Sequence, residues 1–253
     1  MATSTATVRL APRVLPGRRF DHQFFTGSAL AMIVAVFIGF AHTYFLAGVF
    51  HAPLPSAIIH IHGAVFSGWL FLVIAQTSLV SAGRVDIHRK LGIAAMIYAA
   101  CMVPLGILAA TDSLVRGSSP VLGRDPRVFY IVPTTEVLVF GILMGLAFYY
   151  RRVPATHKRL IYVANTALLL AAIARWPIAF TYKNNPVAAL LSNVFLVALV
   201  AYDYWSTRKV YRATIYASLF LMFVQQARAP FSHTAVWISF ASWVQHLARP
   251  MLG

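Results

Sequence analysis

Between Pro55 and Met96 the chain reads PSAIIHIHGAVFSGWLFLVIAQTSLVSAGRVDIHRKLGIAAM. An uncharged apolar run of more than about 20 residues leads into a short charged link and then into a second apolar run, the pattern of a transmembrane hairpin. A lipid interior leaves backbone polar groups no water, so such a run is built either as a helix or as part of a closed barrel. Here the runs are continuous and rich in Leu and Ala, where barrel strands would alternate. The spanning elements are therefore helices. Histidines stand at both water-facing ends of the hairpin, His60 and His62 near its start and His88 in the charged link.

The rest of the chain repeats this pattern. With 60% hydrophobic and only 11% charged residues in 253, it has too little polar surface to cover a soluble fold. Seven apolar segments follow one another: Phe24 to Phe50, Pro55 to Ala82, Leu91 to Thr111, Val128 to Tyr150, Leu160 to Thr181, Pro186 to Tyr202 and Val210 to Ala227. After them, Val236, Phe240, Trp243, Val244 and Leu247 share one helical face, which predicts an amphipathic helix from Ser232 to Leu247 lying on the membrane. The expected fold is all-α, a polytopic membrane bundle of about seven transmembrane helices with an interfacial C-terminal helix. Residues 1–23 read as a cytoplasmic basic tail, 24–227 as the seven-helix transmembrane domain, and 228–253 as an extracytoplasmic interfacial helix and tail. The Ser/Thr- and Arg-rich start lacks an apolar core followed by a small-residue cleavage site, so a tail is expected there in place of a cleaved targeting peptide.

A formal charge of +15 would suggest nucleic acid in a soluble chain, but here the cations lie in the links between apolar runs, where they act as topology signals. Alternate links hold Arg9, Arg13, Arg18 and Arg19; Arg84, Arg89 and Lys90; Arg151, Arg152, Lys158 and Arg159; and Arg208, Lys209 and Arg212. The intervening links hold no cation, then Arg116, Arg124 and Arg127 offset by Asp112 and Asp125, then Lys183. The expected location is the bacterial inner (cytoplasmic) membrane, with the N-terminus cytoplasmic and the C-terminus outside. The lone cysteine, Cys101, excludes an intrachain disulfide and a thiolate metal cluster.

Depth along each helix follows from a rise of about 1.5 Å per residue. His42, late in the first segment, and His60 and His62, early in the second, lie in the outer part of the bilayer. Glu136 sits about two turns into the fourth segment, Arg175 about 22 Å along the fifth, and Gln225 and Gln226 close the seventh, so these polar groups share one level. An ionisable group inside a span costs about 2.5 to 3.5 kcal/mol and calls for a partner or a wet cavity. Glu136 and Arg175 are the expected structural ion pair. His60 and His62 are two residues apart and point to nearly opposite sides of a helix. His62 shares its face with Phe66, Trp69 and Gln76, which suits a cofactor pocket, whereas His60 shares its face with Gly63, Ala64 and Ser67, which suit close helix packing. On the cytoplasmic side, His88 and His157 open the third and fifth segments, each followed by two cations that suit haem propionates, phosphate headgroups or an anionic quinone ring.

Several chemistries drop out. Lys90, Lys158, Lys183 and Lys209 all lie in links, so no buried amine is offered for a Schiff base, and neither an HExxH run nor a GxxxxGK[ST] phosphate loop occurs. Clustered HxxxH and HxxHH boxes for a membrane di-iron hydroxylase are also missing.

At HGAVFSGW followed by HRKLG, the chain resembles bacterial polytopic membrane proteins of unknown function with a His-Arg-x-x-Gly signature and, more weakly, the transmembrane cytochromes b reduced by ascorbate. In that cytochrome family histidines on four consecutive helices ligate two haems b, the second helix pairing with the fourth and the third with the fifth. The resemblance implies that His62 matches the second-helix ligand, His88 the third and His157 the fifth. The fourth segment departs from the pattern, offering Glu136 in place of a histidine, and an outer haem on His62 would have to draw its second ligand from His42.

Three readings follow. The leading one is an integral membrane redox protein that binds haem b through His42, His62, His88 and His157 and exchanges electrons with quinone. The second is a non-catalytic accessory subunit of a larger membrane complex, and the third a metal-dependent membrane enzyme or metal carrier holding zinc or copper on His42, His62 and Glu136. Topology is testable on its own: a reporter placed after Arg19 or within 151–159 is expected in the cytoplasm and one after Gly253 outside, and a cytoplasmic C-terminal reporter would mean that a segment fails to span.

Overall fold

The computed structural model describes residues 17–53, 55–117, 125–179 and 185–252. Among the described residues the fold is all-helical, 85% helix in eight α-helices. These are α1 (Gly17–Phe40), continued by a π-helical turn (Ala41–Phe45), α2 (Ala57–Ser81), α3 (Val85–Val115), α4 (Pro126–Tyr149), α5 (Pro154–Ile173), α6 (Asn185–Thr207), α7 (Arg212–Phe231) and α8 (Ala235–Leu252). Five stretches among the described residues are long and apolar enough to cross a membrane: Phe20–Phe45, Ala57–Ser81, Val85–Val115, Pro126–Tyr149 and Pro186–Thr207.

The helix boundaries have local causes. Ser56 caps α2 by accepting from Ile59 N at 3.4 Å, and its hydroxyl also donates to Asp112 Oδ2 at 2.8 Å, fastening the start of α2 to the end of α3. Asp125 caps α4 ahead of Pro126, whose missing N–H is no loss in a first turn. The Arg127 hydrogen bond holds the Asp125 carboxyl below the usual carboxylate range. Between α2 and α3 the chain reverses through Gly83 at φ +75°, a left-handed conformation that favours glycine.

α5 is the axis of the bundle, packing against α1, α4, α6 and α7. Val163, Ala164, Thr166, Ala167 and Ala172 along it have no exposed surface. Gly39 lets α1 approach it so closely that a Cβ there would overlap the Ala172 backbone. A helix walled in by protein need not be apolar enough to face lipid. α5 accordingly carries Arg159, Asn165 and Thr166 in buried positions, each satisfied: Asn165 accepts from Trp69 Nε1 of α2 at 2.8 Å, and Thr166 donates to Tyr162 O at 3.0 Å.

The strongest tie lies near the start of α5. Asp203 of α6, fully buried, accepts from Arg159 Nε at 2.9 Å and Nη2 at 2.5 Å, from Thr214 Oγ1 of α7 at 2.6 Å and from Tyr211 N at 3.3 Å. The guanidinium also donates to Ala155 O at 2.7 Å and lies 3.6 Å from the Tyr211 ring centroid. Beside it, Asp21 of α1 takes Lys158 Nζ at 2.7 Å and Tyr202 Oη at 2.6 Å.

Most boundaries differ from the sequence reading by some residues, and three of the differences bear on the packing. α1 already begins at Gly17, within the stretch read as a tail, because Asp21 is anchored to α5 and α6. α5 stops at Ile173 and not at Thr181, ahead of Pro177, which disfavours the helical region for the residue before it. α7 continues past Ala227 to Phe231. Residues 1–16, Arg124, Lys183 and Gly253 lie outside the described residues.

Asp203→Ala would strand Arg159 in the bundle without its counter-charge, with an expected loss of about 3 to 5 kcal/mol in detergent unfolding. Adding Arg159→Met should recover much of that loss, and purely additive effects would show that the two side chains do not act as a pair.

Candidate functional site

Two polar centres stand out, one at each end of the bundle. At the first, His88 lies one turn into α3 and His157 one turn into α5. Their rings meet edge to face, with centroids 6.5 Å apart and planes at 80°. His157 Nδ1 lies 2.8 Å from the Ala147 carbonyl oxygen of α4. A carbonyl only accepts, so Nδ1 carries the proton and Nε2 of the neutral ring keeps its lone pair.

His88 is held differently. The Gln76 amide of α2 has one end 2.5 Å from His88 Nδ1 and 3.2 Å from the His88 carbonyl oxygen and the other 3.0 Å from Gly92 N, so the orientation that satisfies the carbonyl and the Gly92 N–H turns its nitrogen toward His88 and its oxygen toward Gly92. Nδ1 of the neutral His88 is then an acceptor, and the proton rests on Nε2. The pair therefore presents one Nε2 lone pair and one Nε2–H. Of the cations that follow each histidine, Lys158 and Arg159 are held by Asp21 and Asp203, while Arg89 and Lys90 are exposed.

The second centre lies between α4 and α7. Glu136, 6% exposed, faces Arg228 Nη1 at 3.4 Å. This corrects the expected pairing with Arg175. Because α5 ends early, Arg175 lies in the turn beyond it, donates Nη1 to Ala171 O at 2.5 Å and sits 4.9 Å from the Phe40 ring centroid. The longer α7 brings Arg228 inward in its place.

α7 turns a polar stripe toward the bundle, Ser218, Gln225 and Arg228, with Leu221 among them, all buried at helical spacing. Gln225 is 6% exposed, and neither its Nε2 nor its Oε1 has a hydrogen-bond partner. Ser218 Oγ and His62 Nδ1 are also buried without a partner.

The remaining site residues fall apart. His42 is exposed on the π-helical turn and stacks on Phe50 with ring centroids 4.4 Å apart, whereas His62 is half-buried against Phe66 at 4.0 Å. The structure brings His88 to His157 and makes no ring contact between His42 and His62. Among the described residues no three His, Cys, Asp or Glu side chains form a metal-ion ligand group, so His42, His62 and Glu136 do not stand together as a zinc or copper set. The π-helical turn swings His42 onto Phe50, and Arg228 occupies the Glu136 carboxylate.

Sequence reasoning missed Arg228 and Asp203 because both stand at the ends of apolar runs and read as membrane-edge charges. The three, four, three spacing of Ser218, Leu221, Gln225 and Arg228 was the available signal for the first of them. The chain matches no family model, no curated protein and no solved structure.

Glu136→Gln should destabilise the protein by about 3 to 5 kcal/mol by leaving Arg228 buried without a counter-charge. Combining it with Arg228→Leu should restore part of the loss in detergent melts, and combining it with Arg175→Leu should not. The reverse ranking would reinstate Arg175 as the partner.

Proposed function

We propose that the protein is a seven-span membrane redox protein of the bacterial cytoplasmic membrane, N-terminus inside, holding haem b between His88 and His157 and exchanging electrons with quinone. The observation that carries this reading is the meeting of two imidazoles from α3 and α5, the helix pair that the cytochrome resemblance implies, at 6.5 Å between centroids. Rings this close would let one iron be shared between a nitrogen of His88 and a nitrogen of His157.

His157 fits directly, because the Ala147 carbonyl holds Nδ1–H and leaves Nε2 free, the arrangement that fixes the tautomer and raises the basicity of a ligating histidine. His88 fits once the Gln76 amide turns over, so that its oxygen takes Nδ1–H and Nε2 is released; that turn gives up the Gly92 contact. Bound there, haem b supplies one-electron transfer. The chain's own part is to orient both rings, to exclude water with the apolar bundle, and to offer Arg89 and Lys90 as charges for the propionates.

In this reading α5 and α7 complete the seven spans. α5 is shielded from lipid by its neighbours, and α7 turns its polar stripe inward. α8 lies along the outer surface. Its Trp237 and Ala241 are buried against the bundle, Gln245 donates to Leu114 O at 2.9 Å, and Val236, Trp243 and Leu247 remain exposed toward the bilayer.

Protein purified from haem-replete cells should show a Soret band with sharp reduced α-bands. His88→Ala and His157→Ala should each abolish them, and His42→Ala should leave them in place. Gln76→Glu should lower the midpoint potential by strengthening the acceptor behind His88. A wild-type protein without a Soret band ends this reading.

A further inference from the structure

We infer that Gln225, with the Glu136–Arg228 pair beside it, forms the headgroup site for a lipid-soluble quinone between α4 and α7. The inference rests on the membrane redox reading and gives its quinone a place that reading left open, at the end of the bundle away from His88 and His157.

A primary amide carries two N–H donors and one acceptor oxygen, and burying it without partners is costly where an apolar side chain of similar size would not be. Gln225 is nevertheless buried on α7 with both ends of its amide unmatched, one turn from Arg228. Its neighbour Gln226 is exposed, so the inward position is particular to Gln225. His62 Nδ1 is another buried group without a partner.

The unmet groups define the ligand. It must offer an acceptor to an amide N–H and, in at least one state, a hydroxyl to the amide oxygen. It must also be uncharged, because Arg228 already balances Glu136 at 3.4 Å. It must be small enough at its polar end to enter between helices, and apolar enough to arrive through lipid, which rules out phosphates and sugars. A quinone ring meets these conditions in both oxidation states: its carbonyl accepts from Gln225 Nε2, and the hydroxyl of the quinol donates to Gln225 Oε1.

The test uses the full chain in lipid nanodiscs and a short-chain benzoquinone, with binding followed by calorimetry. Wild-type protein should bind it, and Gln225→Leu should weaken binding on the order of tenfold or more. The melting temperature of Gln225→Leu should hold or rise, since an unmatched amide gives way to an apolar group. Gln225→Asn keeps the amide but withdraws it by one methylene, and should also weaken binding; Gln226→Leu on the exposed face should leave it unchanged. Absence of binding by the wild type, or equal affinity in wild type, Gln225→Leu and Gln225→Asn, overturns the site and leaves Gln225 a hydrated side chain. Visible spectra of the same samples separate the two claims: quinone binding that depends on Gln225 without a Soret band keeps this site and removes the haem, and a Soret band without quinone binding does the opposite.

Discussion

Arg159 enters the bundle with 1% of its surface exposed, and that burial is tolerable only because Asp203 meets it. The carboxylate in turn gathers Thr214 and the backbone of Tyr211, so one charge pair fixes how α5, α6 and α7 meet at that end. α5 is the helix against which most of the others pack, and its register sets the position of His157 two residues before Arg159 and of Asn165 six residues after it. The Ala147 bond to His157 and the Trp69 bond to Asn165 both presuppose that register. The histidine site is thus a consequence of a structural ion pair in the next half-turn.

The same demand for internal partners separates what the sequence disclosed from what it hid. Long uncharged runs disclosed the spanning helices because lipid leaves the backbone no other solution. The motif at His62 and His88 pointed to a histidine on α5, and the His88 and His157 rings do meet. Charges misled wherever their use depended on packing. Lys158 and Arg159 read as membrane-edge cations for propionates, yet each is held by an acid far away in sequence, Asp21 or Asp203. Arg228 and Arg175 exchanged roles because hydropathy runs on through Trp176 and Ile178 while Pro177 stops the helix, and because charge at the end of the seventh run hid a further turn of helix. The π-helical turn that carries His42 outward left no mark in the spacing of its residues.

The two polar centres follow different rules. Around His88 and His157 hydrogen bonds to Gln76 and Ala147 specify each ring, and the side chains are committed to particular protonation sites. Around Gln225 the protein supplies donors and acceptors and leaves them unmatched. A centre of the first kind suits a resident group held in one orientation, and one of the second kind suits a molecule that comes and goes. The proposed exchange of electrons between a resident haem and a diffusing quinone would call for one of each.

Gln76 makes the first centre conditional. Its amide nitrogen faces His88 Nδ1 and its oxygen faces Gly92 N, which leaves the proton on His88 Nε2, where a metal would bind. Turning the amide by half a revolution moves that proton to Nδ1 and opens Nε2, at the cost of the Gly92 contact. If haem b binds as proposed, ligation by His88 and the orientation of Gln76 would be one equilibrium, and whatever stabilises the turned amide would raise affinity for the metal by the same factor. His157 has no such freedom, because a backbone carbonyl cannot exchange donor for acceptor. In the proposed haem site this asymmetry would make His157 the fixed ligand and His88 the one whose readiness is set from α2.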